Sequence, residues 1–186
     1  MGAIPPNEEE KKFWNDLNHH NVIEHIDPDK LELDRGFVFA RCGDADHFRP
    51  HLNLLLPLLG QKSGDRVHTI TLNGGAIREA MVEETVESLV LKGIMTAVLS
   101  IHVPCGKLRA EGISPEQAMN KMFENKRAIK ERSPDSKVLC VVYFYDGTER
   151  QVMMVQGKRW RRHSTQQMAA VPLAAKPVTH PQEIGA

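Results

Sequence analysis

The sequence predicts an α/β domain built on a mostly parallel β-sheet of about four to five strands flanked by helices. Short apolar, β-favouring runs at 36–40, 66–72, 94–103 and 137–145 alternate with stretches of helical periodicity. Most of these runs are almost continuously apolar, as strands covered on both faces are. The residues that carry chemistry follow directly after them, at the sheet edge where such folds gather their ligands.

After the acidic start MGAIPPNEEEKK, the stretch FWNDLNHHNVIEHI (13–26) places apolar residues at 13, 14, 17, 22, 23 and 26, close to one helical face, and stops at Asp27-Pro28. We expect an N-terminal helical arm over 1–33. GFVFA (36–40) reads as a buried strand opening into a loop that begins at Cys42. HLNLLLPLLG (51–60) reads as a helix interrupted by Pro57, and Ser63-Gly64-Asp65 punctuates before the alternating strand RVHTITL (66–72). Asn73-Gly74-Gly75 lacks the longer glycine fingerprint of a phosphate loop and reads as a turn that lets backbone approach the site closely.

AIREAMVEETVESLVLKG then carries a helical pattern that stops at Gly93, a crossover helix leading into the strand IMTAVLSIHV (94–103). Ser114-Pro115-Glu116 starts a helix with Ser as cap and Pro in the first position, running to about Glu131. KVLCVVYFY ends at the turn Asp146-Gly147, after which QVMMV returns as a hairpin partner. These elements delimit an α/β domain over 34–156. The rest, 157–186, is first basic (KRWRRH) and then rich in Ala, Pro and Gln, which suggests a mobile or partner-wrapping tail.

Composition narrows the function. A chain of 186 residues with 41% hydrophobic side chains can bury a real core. Lys plus Arg equals Asp plus Glu at 24 each, so net charge gives no reason to expect nucleic acid or an anionic membrane as partner, and KRWRRH reads as a solvated edge or a dimer contact. No apolar run approaches the length of a membrane span, and the polar N-terminus is not a secretory leader; a cytoplasmic protein is expected. Three cysteines are too few for a disulfide framework and suit a reducing compartment.

The chemistry concentrates in FARCGDADHF (39–48) and at the end of the 94–103 strand. Cys42, Asp44 and Asp46 come from the first, His102 and Cys105 from the second. Two thiolates and one imidazole match an open zinc site, whose fourth position is left to water or substrate. Pro104 and Gly106 allow His102 and Cys105 to face one point across a tight turn. Spacing alone leaves this reading level with buried thiols and a core histidine. Cys140, inside VLCVVYF, reads as a small buried hydrophobe, and His19, His20, His25, His47 and His51 as surface or capping residues.

Taken together, these blocks resemble the β-class carbonic anhydrases. The family's Cys-x-Asp-x-Arg motif lines up with Cys42, Asp44 and Asp46, and its His-x-x-Cys-Gly with His102, Cys105 and Gly106. Its Gly-Asp is matched by Gly64-Asp65 and its Arg-Asn-Ala-Gly by Leu72, Asn73, Gly74 and Gly75, in the same order, within a loose resemblance from about residue 34 to 156. The resemblance implies Zn2+ on Cys42, His102 and Cys105, reversible hydration of carbon dioxide to bicarbonate by zinc-bound hydroxide, and a homodimer or higher homo-oligomer. It makes Asp44 the catalytic gate, with Asp46, Asn73, Gly75 and Gly106 as substrate-pocket candidates.

Two departures stand out. The motif arginine, which in the family pairs with the aspartate, is Asp46, and the second motif's arginine is Leu72. Without a cation, Asp44 would be drawn to the metal as a fourth ligand. Arg49 lies on a different local path, and Arg41 adjoins the ligand and is expected to point away from it. A non-catalytic zinc protein with Asp44 as permanent ligand, and a related hydrolase of carbonyl sulfide or carbon disulfide, are therefore the alternatives.

Overall fold

The computed structural model describes residues 4–27, 31, 36–60 and 67–170, and of 45–49 and 166–170 the backbone alone. In chain order the elements are helix α1 (Glu8–His19), strand β1 (Ile23–Glu24), β2 (Phe37–Cys42), α2 (Ala45–Leu58), β3 (Val67–Leu72), a 3-10 turn (Gly75–Ile77), α3 (Ala80–Lys92), β4 (Thr96–Val103), α4 (Gly106–Ala110), α5 (Pro115–Arg132), β5 (Lys137–Tyr145), β6 (Arg150–Val155) and α6 (Gly157–Ala170).

The strands form one sheet in the order β1-β6-β5-β4-β2-β3. β2 to β5 run parallel, as expected from their apolar runs, while β6 returns antiparallel on β5 and β1 antiparallel on β6. From β2 the chain steps to β3 on one side and then back across to β4 on the other. A right-handed crossover must change face when it changes direction. Accordingly, α2 packs Leu55 into one core, with Phe37, Phe39 and Tyr143. Helices α1, α3 and α5 pack Trp14, Met81 and Met122 into the other, with Ala40, Leu99 and Val142.

The chain departs from expectation at both ends. The apolar pattern of 13–26 is split between a helix and a strand. Asn21 takes φ 51, Val22 N–H donates to Leu17 O at 2.8 Å and Asn21 N–H to Asn18 O at 3.0 Å, the paired bonds of a left-handed helix stop. Val22 and Ile23 are thereby turned onto the sheet edge, and β1 becomes the strand beyond the expected number. The helix also starts earlier, where Asn7 and Glu10 cap each other's backbone.

At the other end, the basic segment expected to be a mobile tail is helical over Gly157–Ala170. Trp160 and His163, three apart on one helix face, are buried, and Trp160 meets Phe13 edge to face at 6.3 Å. Residues 171–186 lie outside the described residues. Nor does a loop begin at Cys42: only Gly43 and Asp44 separate β2 from α2, and Pro50 and Pro57 are both accommodated within that helix.

Candidate metal centre

The direction of the chain reverses between β2 and β4, and these neighbours stay paired only from Val38–Ala40 to Ala97–Leu99. β2 continues to Cys42 and β4 to Val103, so the strands part and leave a crevice at their carboxyl ends. This is where open α/β sheets bind ligands. Cys42 ends one wall of the crevice; His102 and Cys105 end the other.

The three residues are brought together. Sγ of Cys42, a ring nitrogen of His102 and Sγ of Cys105 all lie within 4.8 Å of one another, and all three side chains are buried. A tetrahedral zinc with sulfur at about 2.3 Å and nitrogen at about 2.0 Å spaces its donors by roughly 3.4–3.8 Å. The cluster closes onto such an ion with sub-ångström shifts. Soft thiolates with one imidazole are also the donor set zinc prefers, so the residues present fit the metal.

Groups outside the cluster orient it. The His102 Nδ1 sits 2.8 Å from Pro104 O. A carbonyl only accepts, so Nδ1 donates to it, and Nε2 is the ring nitrogen left for a metal. Gly74 N–H donates to Cys42 Sγ at 3.4 Å. Hydrogen bonding to Cys105 chiefly, with His102 and the Gly74 amide, pulls the Cys42 thiol down to about 3 against the opposing effect of burial. Cys105 is pushed up by its hydrogen bond to Cys42, by burial and by the Cys42 charge, with the Leu108 and Lys107 amides opposing. The Cys105 thiol therefore donates to the Cys42 sulfur, and of the two it is Cys42 that ionises more readily.

The glycine turn acts as expected. A Cβ on Gly75, whose φ is 69, would sit 2.7 Å from the Cys42 backbone nitrogen. Gly75→Ala is expected to cost about 2 kcal/mol or more from strain and clash, lowering the thermal midpoint by about 4–8 °C in calorimetry. Asn73 stands beside Gly43, its Oδ1 3.3 Å from where a Cβ on that glycine would lie. Gly106 opens α4 directly after Cys105. One contributor was missed in the sequence. Arg78 donates from Nε to Asn73 O at 2.7 Å and from Nη2 to Glu111 at 2.6 Å, pinning the turn to the end of α4. Nothing in its local pattern marks that role.

Asp44 is half-buried, one residue before α2. Asp46 lies in the first turn of α2; its side chain, with those of His47 and Arg49, is outside the described residues, as are Gly64 and Asp65. Arg41 was expected to point away from the ligand Cys42. Strand alternation does set its side chain on the face opposite Cys42, yet it is buried there, and its charge interacts favourably with both Cys42 and Asp44. Burial brings the guanidinium down to about 10, which leaves it a cation at neutral pH.

Of the remaining candidates, Cys140 is fully buried, which raises its thiol to about 12. His51, expected near the surface, is buried with its Nε2 3.1 Å from Ser100 Oγ and its ring 4.6 Å from that of Tyr143. His19, His20 and His25 are exposed.

No family model and no curated protein matches the sequence. Among solved structures, the chain is similar to carbonic anhydrase from Streptococcus mutans, with 16% identity, a TM-score of 0.44 and coverage of 78% of this chain and 94% of that one. It is also similar to β-carbonic anhydrase isoform I from the protozoan Trichomonas vaginalis, with 13% identity, a TM-score of 0.40 and the same coverage. Likeness at this level leaves the chemistry to be argued from the side chains. No helix among the described residues is long and apolar enough to cross a membrane.

Proposed function

We propose that the chain is a β-carbonic-anhydrase-type zinc protein that interconverts carbon dioxide and bicarbonate. The observation that carries this is the convergence of Cys42, His102 and Cys105 at the β2/β4 crevice, with donor atoms within 4.8 Å of one another. Zinc bound there would lower the pKa of a bound water toward neutrality and so supply a nucleophile for carbon dioxide.

The chain's own residues account for the rest. Pro104 O fixes the His102 ring, and the Gly74 amide steadies the Cys42 sulfur. Arg41 can take the part that Asp46 cannot: its buried positive charge interacts favourably with Asp44, which would hold the carboxylate off the metal and keep the fourth position open. Asp44 is then free to accept the proton of the water that reacts. This favours the catalytic reading over permanent capping by Asp44. The reading includes a reducing compartment, in keeping with three free buried cysteines, and a homo-oligomer.

Stopped-flow carbon dioxide hydration on the zinc-loaded chain tests it. Hydration that rises with pH between about 6 and 9 is expected for a water ionising near neutrality. A full complement of zinc with no hydration anywhere in that window would leave the non-catalytic reading in its place. Hydrolysis of carbonyl sulfide or carbon disulfide without hydration of carbon dioxide would instead assign the related hydrolase chemistry.

A further inference from the structure

A groove on the described surface lies away from the crevice, between α5 and α6. It encloses about 700 Å3, with Phe123 and Trp160 and the cations Lys126, Arg127, Lys158 and Arg161 in its lining. That volume is in the range of small-molecule sites, roughly 300–1,000 Å3.

The floor of the groove is apolar and fixed. Trp160 is buried and donates from its indole N–H to Asn120 Oδ1 at 2.9 Å. Gly157 lets α6 start hard against α5: a Cβ there would lie 2.9 Å from Phe123 Cε1. The walls are cationic. Lys130 is engaged by the carbonyls of Pro134 and Ser136. Lys126, Arg127, Lys158 and Arg161 have no carboxylate partner among the described residues, and Glu124 is the single acid in the lining.

Several cations elsewhere on the described chain are matched by carboxylates. Arg78 and Lys107 pair with Glu111, Arg109 with Glu10 and Arg132 with Glu83. Four cations without a carboxylate partner among the described residues thus gather around one apolar floor, on a chain of zero net charge. Like charges gathered along one groove repel one another, and a ligand that neutralises several at once relieves that repulsion.

We propose that this groove binds a small polyanion carrying at least two phosphate groups on an uncharged body, a molecule of nucleoside diphosphate size. The phosphates meet Lys126, Arg127, Lys158 and Arg161, the body lies over Phe123, and Asn120, Gln156, Ser164 and Glu124 offer hydrogen bonds to it. A nucleic acid strand is disfavoured. The chain has no net positive field to attract a polymer, and the cations on the other side of α6 do not continue the groove: Arg159 donates to Asn21 O at 2.8 Å, and Arg162 lines a separate recess with His20 and His163.

Isothermal titration of the full chain with magnesium-free ADP tests this, with inorganic phosphate and a single-stranded oligonucleotide of about twenty nucleotides as comparison arms. ADP is expected to bind one per chain with Kd on the order of 10–100 μM, and inorganic phosphate at least roughly fifty-fold more weakly. Lys126→Gln with Arg161→Gln should weaken ADP at least about ten-fold, and the single exposed change Arg161→Gln about three-fold, at unchanged melting temperature. Arg159→Gln with Arg162→Gln, across α6, should leave it within about two-fold. Saturation by ADP only above about 1 mM, phosphate binding as tightly as ADP, undiminished affinity in the Lys126/Arg161 variant, or tighter binding of the oligonucleotide would each overturn the proposal.

Discussion

Cys42→Ser and Cys105→Ser are each expected to abolish tight zinc binding, leaving less than about a tenth of the metal carried by the unsubstituted chain after dialysis. A serine oxygen does not ionise near neutral pH and is a harder donor, so two of three ligands cannot hold the ion against buffer. Cys140→Ser provides the internal control. Cys140 is buried in the sheet and belongs to no cluster of metal-binding groups among the described residues, so that variant loses stability but keeps its zinc. Elemental analysis of the dialysed proteins reads the difference directly.

Arg41→Met is expected to lower carbon dioxide hydration by about 10- to 100-fold, the usual range for a group that orients a metal site without touching the metal, while zinc content stays near one per chain. Methionine fills the buried space left by the aliphatic stem but carries no charge, so Asp44 loses its cation and turns to the metal. Asp44→Asn placed on top of Arg41→Met removes that competing ligand, and zinc in the double variant should regain an exchangeable water, visible in cobalt-substituted spectra. The bare sequence suggests that Asp46→Arg should raise activity. With the Arg41 charge already acting on Asp44, little change is expected. A large rise in Asp46→Arg, or an Arg41→Met variant as active as the parent, would remove Arg41 from the account.

The site was legible because it rests on spacing at two strand ends. Once the alternation of strands and helices fixes a parallel sheet, Cys42 and the His102/Cys105 pair have to arrive at the same edge, and Gly75 has to be small to pass the Cys42 backbone. Less was legible where one residue decides. Asn21, by taking a left-handed conformation, ends α1 and diverts Val22 and Ile23 into β1, although their apolar spacing continues the helix pattern. The capping pair Asn7 and Glu10 was visible in sequence but hidden among acidic residues that read as a solvated start.

Arg41 and His51 show a second limit. Both are polar residues whose burial depends on what covers the strand, and sequence periodicity gives the face but not the cover. Arg41 keeps to the expected face, yet its charge interacts with Asp44 just past the strand end. His51 is buried because α2 turns it onto Phe39 and Tyr143, where Ser100 supplies a hydrogen-bonding partner. The α6 helix was obscured by its own charge: KRWRRH reads as a tail until Trp160 and His163 are seen to share a buried face.

X-ray absorption at the zinc edge of the purified chain reads the ligand set itself. One zinc with two sulfurs at about 2.3 Å, one imidazole nitrogen at about 2.0 Å and one further light atom is expected. A chain without tightly held zinc, or a shell of oxygen and nitrogen with no sulfur, would contradict that ligand set.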